Sequence, residues 1–362
     1  MRKTRSHQSG YILLSVSIAA IVLIGSVGIS VDLGRMYIAK GESQTFADSA
    51  ALAAVLELDA TAAGFDRARI AVTENPNRNT FGTTPFTGTT VEFATAPVGP
   101  WLANPGNSAG FAFVRINATV TVPLYFLSVV VSRTQTTVVA AAVAGQVAKT
   151  AFSEGLFPFS PYAHQPTSAP NFGLITGRQY TLRWPANPRI GNGGGANVCA
   201  GDNNQNILNV ADAAGGSERG YIEESSASVI EQTIVDDYQT IFRTVGDIVI
   251  MTGGAKQSQL TSLYRRINQD SDITSTTYAN YTGNGRRIIA APINDGGTPL
   301  GSNNRIVAIG AFMLVPTGQY GNGGGQAWCA EYVGCWLQGS SHRCAVGGGS
   351  NAAGAYVARL IL

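Results

Sequence analysis

"VDLGRMYIAKGESQTFADSAALAAVLEL", residues 31–58, follows without a break on an uncharged apolar run over residues 11–31. The two stretches together decide the architecture. The apolar run has 21 residues, and a helix of that length reaches about 31 Å, one bilayer hydrocarbon core. Arg2, Lys3 and Arg5 precede it, whereas Asp32 and Arg35 follow. This bias of positive charge puts residues 1–10 in the cytoplasm as a short tail and residues 32–362 outside. A cleaved leader has an apolar core of only about 7–15 residues and a small-residue cleavage site. Here the run is longer and no Ala-x-Ala site closes it, so residues 11–31 read as a retained transmembrane helix. Gly25, Ser26, Gly28 and Ser30 give its outer half a small-residue surface, on which partner helices can pack closely in lipid.

Residues 32–59 contain no proline and are dominated by alanine and straight-chain residues, which are good helix formers. The membrane helix is therefore predicted to continue outward as one rod, with residues 11–59 reaching about 70 Å. Ile38, Phe46, Val55, Leu56 and Leu58, with Ala50 and Ala53, form its apolar stripe. Alanine and serine at positions 47–54 make it thin enough to lie close against a sheet. A second amphipathic stretch, residues 65–74, follows Gly64 and is stopped by Asn75, Pro76 and Asn77.

Alternation marks the next elements. Phe113, Arg115, Asn117, Thr119 and Thr121 alternate with Val114, Ile116, Ala118, Val120 and Val122, the pattern of a half-buried strand. Residues 136–147 read as its partner, and residues 89–95 as a further strand. Residues 145–160 form a hinge into a second unit, with 157–161 an extended lead-in. Strands are predicted there at 180–184, 248–251, 287–293, 306–315 and 356–362. Helices are predicted within 218–245 and over 256–269, where Leu260, Leu263 and Ile267 share a face. The expected fold is α+β: a single N-terminal transmembrane helix, extended and packed on an antiparallel sheet, followed by a β-rich α+β domain. The expected units are 1–10, 11–31, 32–150 and 151–362.

Composition agrees with an exported protein. Apolar residues make up 44% of the chain, charged residues 13%, and glycine contributes 43 positions. A net charge of +2 without a basic stripe after residue 5 excludes a nucleic-acid coat. Four cysteines, Cys199, Cys329, Cys335 and Cys344, lack the CxxC spacing of a zinc site. Their even number favours two disulfides in an oxidising compartment. "GNGGGANVCA" (191–200) and "GNGGGQAWCA" (321–330) echo each other. That suggests a Cys199–Cys329 bridge, but Cys199 with Cys335 or Cys344 stays open. Neither loop ends in the Lys-Ser/Thr of a phosphate-binding loop, so no nucleotide is expected.

Catalytic signals are missing. The histidines are His7, His164 and His342, and no Gly-x-Ser-x-Gly elbow accompanies them. The acid pairs Glu223–Glu224 and Asp236–Asp237 read as solvated faces. Asp202 with Asn203 and Asn204, and Asp295 with Asn294, lack calcium-loop spacing and read as turns. No catalytic residue, cofactor or metal is expected. Aromatics at Trp328, Tyr332 and Trp336 could form an exposed ligand patch if the chain were a tethered adhesin or binding module.

One resemblance is specific. Val31-Asp32-Leu33-Gly34-Arg35, then Gln44-x-x-Ala47-Asp48, after an apolar helix, resembles the N-terminal module of TadE/TadG-like proteins of the Tad (Flp) tight-adherence pilus system. Residues 114–144 are similar to that family's strand, its Val-Pro with two aromatics, and its Val-Ala-rich strand. The resemblance implies an anchor in the inner membrane, contacts with other pilus-assembly or pilin subunits through the helix, and contact with membrane lipid. Two features depart from the system's pattern. Ser15 stands where a prepilin cut after Gly10 would carry glutamate, so no such cleavage is expected. No Asp-x-Ser-x-Ser metal motif is present; the runs beginning at Asp270 and Asp295 do not fit it.

Overall fold

The structure is a computed structural model. It describes residues 9–80, 84–86, 88–185, 187–191, 196–204, 218–222, 226–253, 259–296, 304–346 and 354–361. Expectations for residues 1–8 with His7, for Glu223 and Glu224, and for the glycines at 193–195 lie outside these residues.

The fold is α+β. Helix α1 (Ser9–Leu56) is continuous over 48 residues. Among the described residues it is the one helix long and apolar enough to cross a membrane. Helix α2 (Ala62–Thr73) follows, and the Thr61 side chain accepts from the Gly64 amide to cap it; a single helical turn, α3 (Ser128–Val131), comes later in the chain. Nine strands then build one sheet: β1 (Thr90–Ala94), β2 (Phe113–Pro123), β3 (Gln135–Ala148), β4 (Gln179–Arg183), β5 (Ile248–Val249), β6 (Ile288–Asn294), β7 (Asn304–Leu314), β8 (Trp328–Leu337) and β9 (Gly354–Leu360). Their order is β5-β7-β8-β9-β3-β2-β1, with β6 also on β7 and β4 also on β8.

The outer half of α1 crosses β2 and β3. Ala39, Ser43, Phe46, Ala47, Ala50, Ala51, Ala54 and Val55 are buried there. Opposite them lie Val114, Ile116, Ala118, Val120 and Val122 of β2 and Val138, Ala140, Ala142 and Ala144 of β3. Small residues on both surfaces let the helix axis approach the sheet closely. Phe46 stacks on Phe86 at 4.6 Å and Phe65 on Phe93 at 4.5 Å, closing the ends of this layer. The buried stripe differs from the expected one at Ile38, which is exposed, and at Ala53 and Leu56, which are half-buried. The positions that face the sheet are the alanines between the large residues.

Strand β9 joins the two halves of the sheet. It pairs antiparallel with β3 (Tyr356 with Ala148, Leu360 with Ala144) and parallel with β8 (Cys335 with Gly354, Leu337 with Tyr356). The sheet is thus mixed rather than purely antiparallel, and it runs from the helix-covered strands into the C-terminal core. In that core Phe159, Tyr221, Trp328 and Tyr332 pack with Ile230 and Ile234 of helix α4 (Ala227–Asp236) and Leu263 and Ile267 of helix α5 (Gln259–Asn268).

The helix expected within 218–245 is only α4, and Glu218–Ile222 is a strand paired with Met251–Gly253. Ser226 starts α4 by accepting from the Val229 amide, and Asp237 ends it in the left-handed conformation. Gly220 breaks the helix expected there: its φ is +85°, outside the right-handed helical range, and a Cβ there would meet the Leu182 carbonyl oxygen at 2.3 Å.

Both disulfides form, Cys199–Cys329 and Cys335–Cys344. The first ties the two echoing loops together.

Candidate functional site

Helix α1 has two kinds of surface along its length. From Tyr11 to Val27 its large apolar side chains are bare, with Tyr11 77% and Ile24 67% exposed. From Gly28 onward one face is docked. The transition lies at the tip of the β2–β3 hairpin, residues 124–134. A Cβ on Gly28 would meet the Phe126 ring at 2.5 Å, so Phe126 lies directly on the helix backbone. One turn further, the buried Asp32 carboxylate accepts three amides: Tyr125 at 3.1 Å, Phe126 at 2.8 Å and Leu127 at 2.6 Å. These amides open a short helical turn, Ser128–Val131. Successive N–H groups at a turn converge on an anion, and here the anion is the chain's own.

The fastening continues outward. Arg35 donates to the Pro123 carbonyl at 3.3 Å and lies over the Tyr125 ring at 4.3 Å. Lys40 donates to Val139 at 2.6 Å, and Gln44 to Ala141 at 3.1 Å and to the Asp48 carboxylate at 2.8 Å. Gln146, on β3 and buried, closes the series. Its amide nitrogen donates to the carbonyls of Val55 at 3.1 Å and Leu58 at 2.8 Å, where α1 ends. Its oxygen accepts from the Ala345 amide at 2.6 Å. An exposed helix face and a set of side chains gripping strand carbonyls thus belong to one rod. A carboxylate that accepts three backbone amides is engaged in holding the hairpin tip against the helix.

The residues singled out in the sequence separate accordingly. Asp32, Arg35 and Gln44 come together with the hairpin, Asp48 bonds Gln44 on the same helix, and Ala47 is fully buried, while a Cβ at Gly34 meets nothing within 4 Å. Of the small residues, Gly28 is occupied by Phe126 of the same chain. Gly25 faces open space, and Ser26 and Ser30 donate to the Val22 and Ser26 carbonyls of their own helix. Lys40 and Gln146 went unread, and Phe126 was read only as one of the two aromatics after Val-Pro. A lone amide in the Val-Ala-rich run 138–148 was the available signal for Gln146.

Asp32→Ala leaves three amides without their acceptor. The expected result is hydrogen exchange about tenfold faster or more at residues 125–127, with exchange in the middle of β2 unchanged. Equal exchange in variant and parent would mean that Asp32 does not hold the tip.

The other candidate positions serve structure. His164 pairs with Asp202 at 2.8 Å, and Asp202 accepts the Thr181 amide at 2.5 Å, tying a loop to β4. His342 stands 3.6 Å from Glu57. Trp328 and Tyr332 are fully buried and Trp336 is 9% exposed. The exposed aromatic patch expected there is therefore core, because β8 is covered on both faces. A cleft of about 260 Å³ contains Asp237, Arg266 and Arg286. Burial works against the Asp237 charge, but Arg266 at 2.6 Å and Arg286 at 2.5 Å outweigh it and hold the carboxyl below its usual range. Among the described residues no three His, Cys, Asp or Glu side chains converge as a metal site.

Residues 10–64 match the Tad family, Flp pilus-assembly TadE/G-like. The match covers nearly all of α1 and the turn into α2, and it bears out the resemblance for that stretch. Neither curated proteins nor solved structures yield a match to the chain.

Proposed function

We propose that this chain is a membrane-anchored, non-enzymatic component of a Tad/Flp-type pilus, acting in its assembly or as a minor part of it. The family match over residues 10–64 supports a role in Flp pilus assembly. The observation that carries the anchor is α1 itself. Its bare apolar part and its gripped part are one uninterrupted helix, so a force on partner helices in the membrane passes directly into the sheet. Residues 1–10 would lie in the cytoplasm and the rest outside the inner membrane. Gly25, Ser26 and Ser30 would form the face that meets other pilus subunits, since both hydroxyls are already satisfied within α1 and leave a smooth surface. Nucleotide and nucleic acid play no part in this reading.

Deleting the chain from its host should remove pili, counted by electron microscopy, and re-expression should restore them. Complementation with Gly25→Leu separates partner packing from folding, because Gly25 touches nothing in its own chain. We expect filament number to fall roughly tenfold, the effect of about 1.4 kcal/mol in association, with normal amounts of folded protein. Gly28→Leu instead drives a side chain into Phe126 and should lower the amount of folded protein. Normal pili in the deletion strain would overturn the pilus reading and favour a tethered binding module.

A further inference from the structure

We infer that the tip of the β2–β3 hairpin is a second membrane contact, seated at the headgroup–acyl boundary of the phospholipid leaflet facing residues 32–362. The inference rests on the reading of residues 11–31 as a membrane span.

Height is the first argument. Phe126 packs on Gly28, inside the apolar run by three residues, and Asp32 just beyond the run holds the amides of residues 125–127. A helix that spans the bilayer with residues 11–31 therefore carries the tip at the level where hydrocarbon gives way to headgroups. The tip has no freedom to stand clear of that level, because three successive residues of the hairpin, 125–127, are tied to Asp32 and Pro123 is tied to Arg35.

Composition is the second argument. Tyr125 is 61% exposed, with Phe126 and Val131 also exposed. On the adjacent helix surface Tyr37 is 82% exposed, and Leu33 and Ile38 are exposed with it. Aromatic rings with a polar end next to aliphatic side chains are what membrane interfaces select. Charge points the same way. Arg35 and Arg133 border the tip, and long cationic side chains there can reach phosphate headgroups. The Asp32 carboxylate is already held by three amides. Between tip and helix a groove of about 400 Å³ is lined by Met36, Leu124, Leu127 and Val131 together with Arg133 and Thr136. Four apolar side chains beside one cation and one hydroxyl suit the end of an acyl chain below its phosphate.

The consequence is mechanical. A single spanning helix leaves the outer domain free to tilt about one point. A second contact at the hairpin tip fixes the direction in which the sheet leaves the membrane.

The test uses the full chain in vesicles of phosphatidylcholine and phosphatidylglycerol. All four native cysteines are in disulfides, so single added thiols can carry an environment-sensitive fluorophore. The positions are Tyr125→Cys, Val131→Cys as a second tip site, Ile21→Cys within the span, and Val98→Cys, which is 86% exposed. Quenching is read with lipids carrying a nitroxide at a shallow or a deep acyl position. The tip labels should lose fluorescence mainly to the shallow quencher, the Ile21 label mainly to the deep one, and the Val98 label to neither. If the Ile21 label is quenched and both tip labels behave like Val98, the membrane span stands and this inference falls. Blue-shifted but unquenched tip labels would mean that protein covers the tip, which also overturns it. An unquenched Ile21 label would overturn the membrane span itself, and this inference with it.

Discussion

Replacing Cys199 and Cys329 together by serine lowers the stability of the chain by about 5 kcal/mol, against about 3 kcal/mol for the Cys335/Cys344 pair. The difference comes from the unfolded chain. The first bridge closes a sequence separation of 130 residues and the second only 9, and the entropy removed from an unfolded chain grows with the loop it closes. The first bridge also holds a segment with little other support. Residues 196–204 reach the sheet through the bridge, through the Cys199 amide on the Thr181 hydroxyl at 3.2 Å, and through Asp202. Denaturant midpoints of the two double variants in detergent give the comparison. A larger loss for the Cys335/Cys344 pair would show that burial of those sulfurs, both 0% exposed, outweighs loop closure.

Gln146→Leu is the second large effect. The leucine fills the volume but leaves the Leu58 carbonyl and the Ala345 amide without their partner in a site where Gln146 is 3% exposed, while the Val55 carbonyl keeps only the Leu58 amide at 3.4 Å. An unpaired buried polar group costs about 1–3 kcal/mol, so the loss is expected at roughly 3–5 kcal/mol. Its location matters more than its size. Gln146 joins the end of the anchor helix, the strand that carries it and the segment leading to β9. The variant should lose hydrogen-exchange protection both at residues 55–58 and at 344–346. Gln146→Glu, which keeps an acceptor for Ala345 but not the donor to the carbonyls, should recover only the second. A loss under about 1 kcal/mol would mean that water replaces the amide and that the three segments are not coupled through it.

Much of this was legible in residues. Apolar length and the absence of proline gave α1, and the period-two pattern of Val114 to Val122 gave β2 with its helix-facing side. Leu263 and Ile267 gave the buried face of α5. What stayed hidden depends on distant chain. Strand β8 is not among the predicted strands: both its faces are covered, so no alternation survives, and Glu331 interrupts its apolar residues. Its parallel pairing with β9, and the return of β9 to β3, follow from the closure of the whole sheet and leave no local mark. The motif acid Asp32 was visible as a charge ending the apolar run. That it caps the Tyr125–Leu127 amides depends on a hairpin more than 90 residues away. Ile38 shows the reverse case, an apolar residue at helical spacing that faces outward, on the side where we place lipid.

The most direct test of the central claim is a blot of the chain in sheared cells of its host, across filament, carbonate-washed inner-membrane and soluble fractions. The expected result is the intact chain in the washed membrane, in the filament, or in both. A shortened chain, freed of residues 11–31 and recovered in the soluble fraction, would contradict an anchor that stays in the membrane and carries load into the sheet.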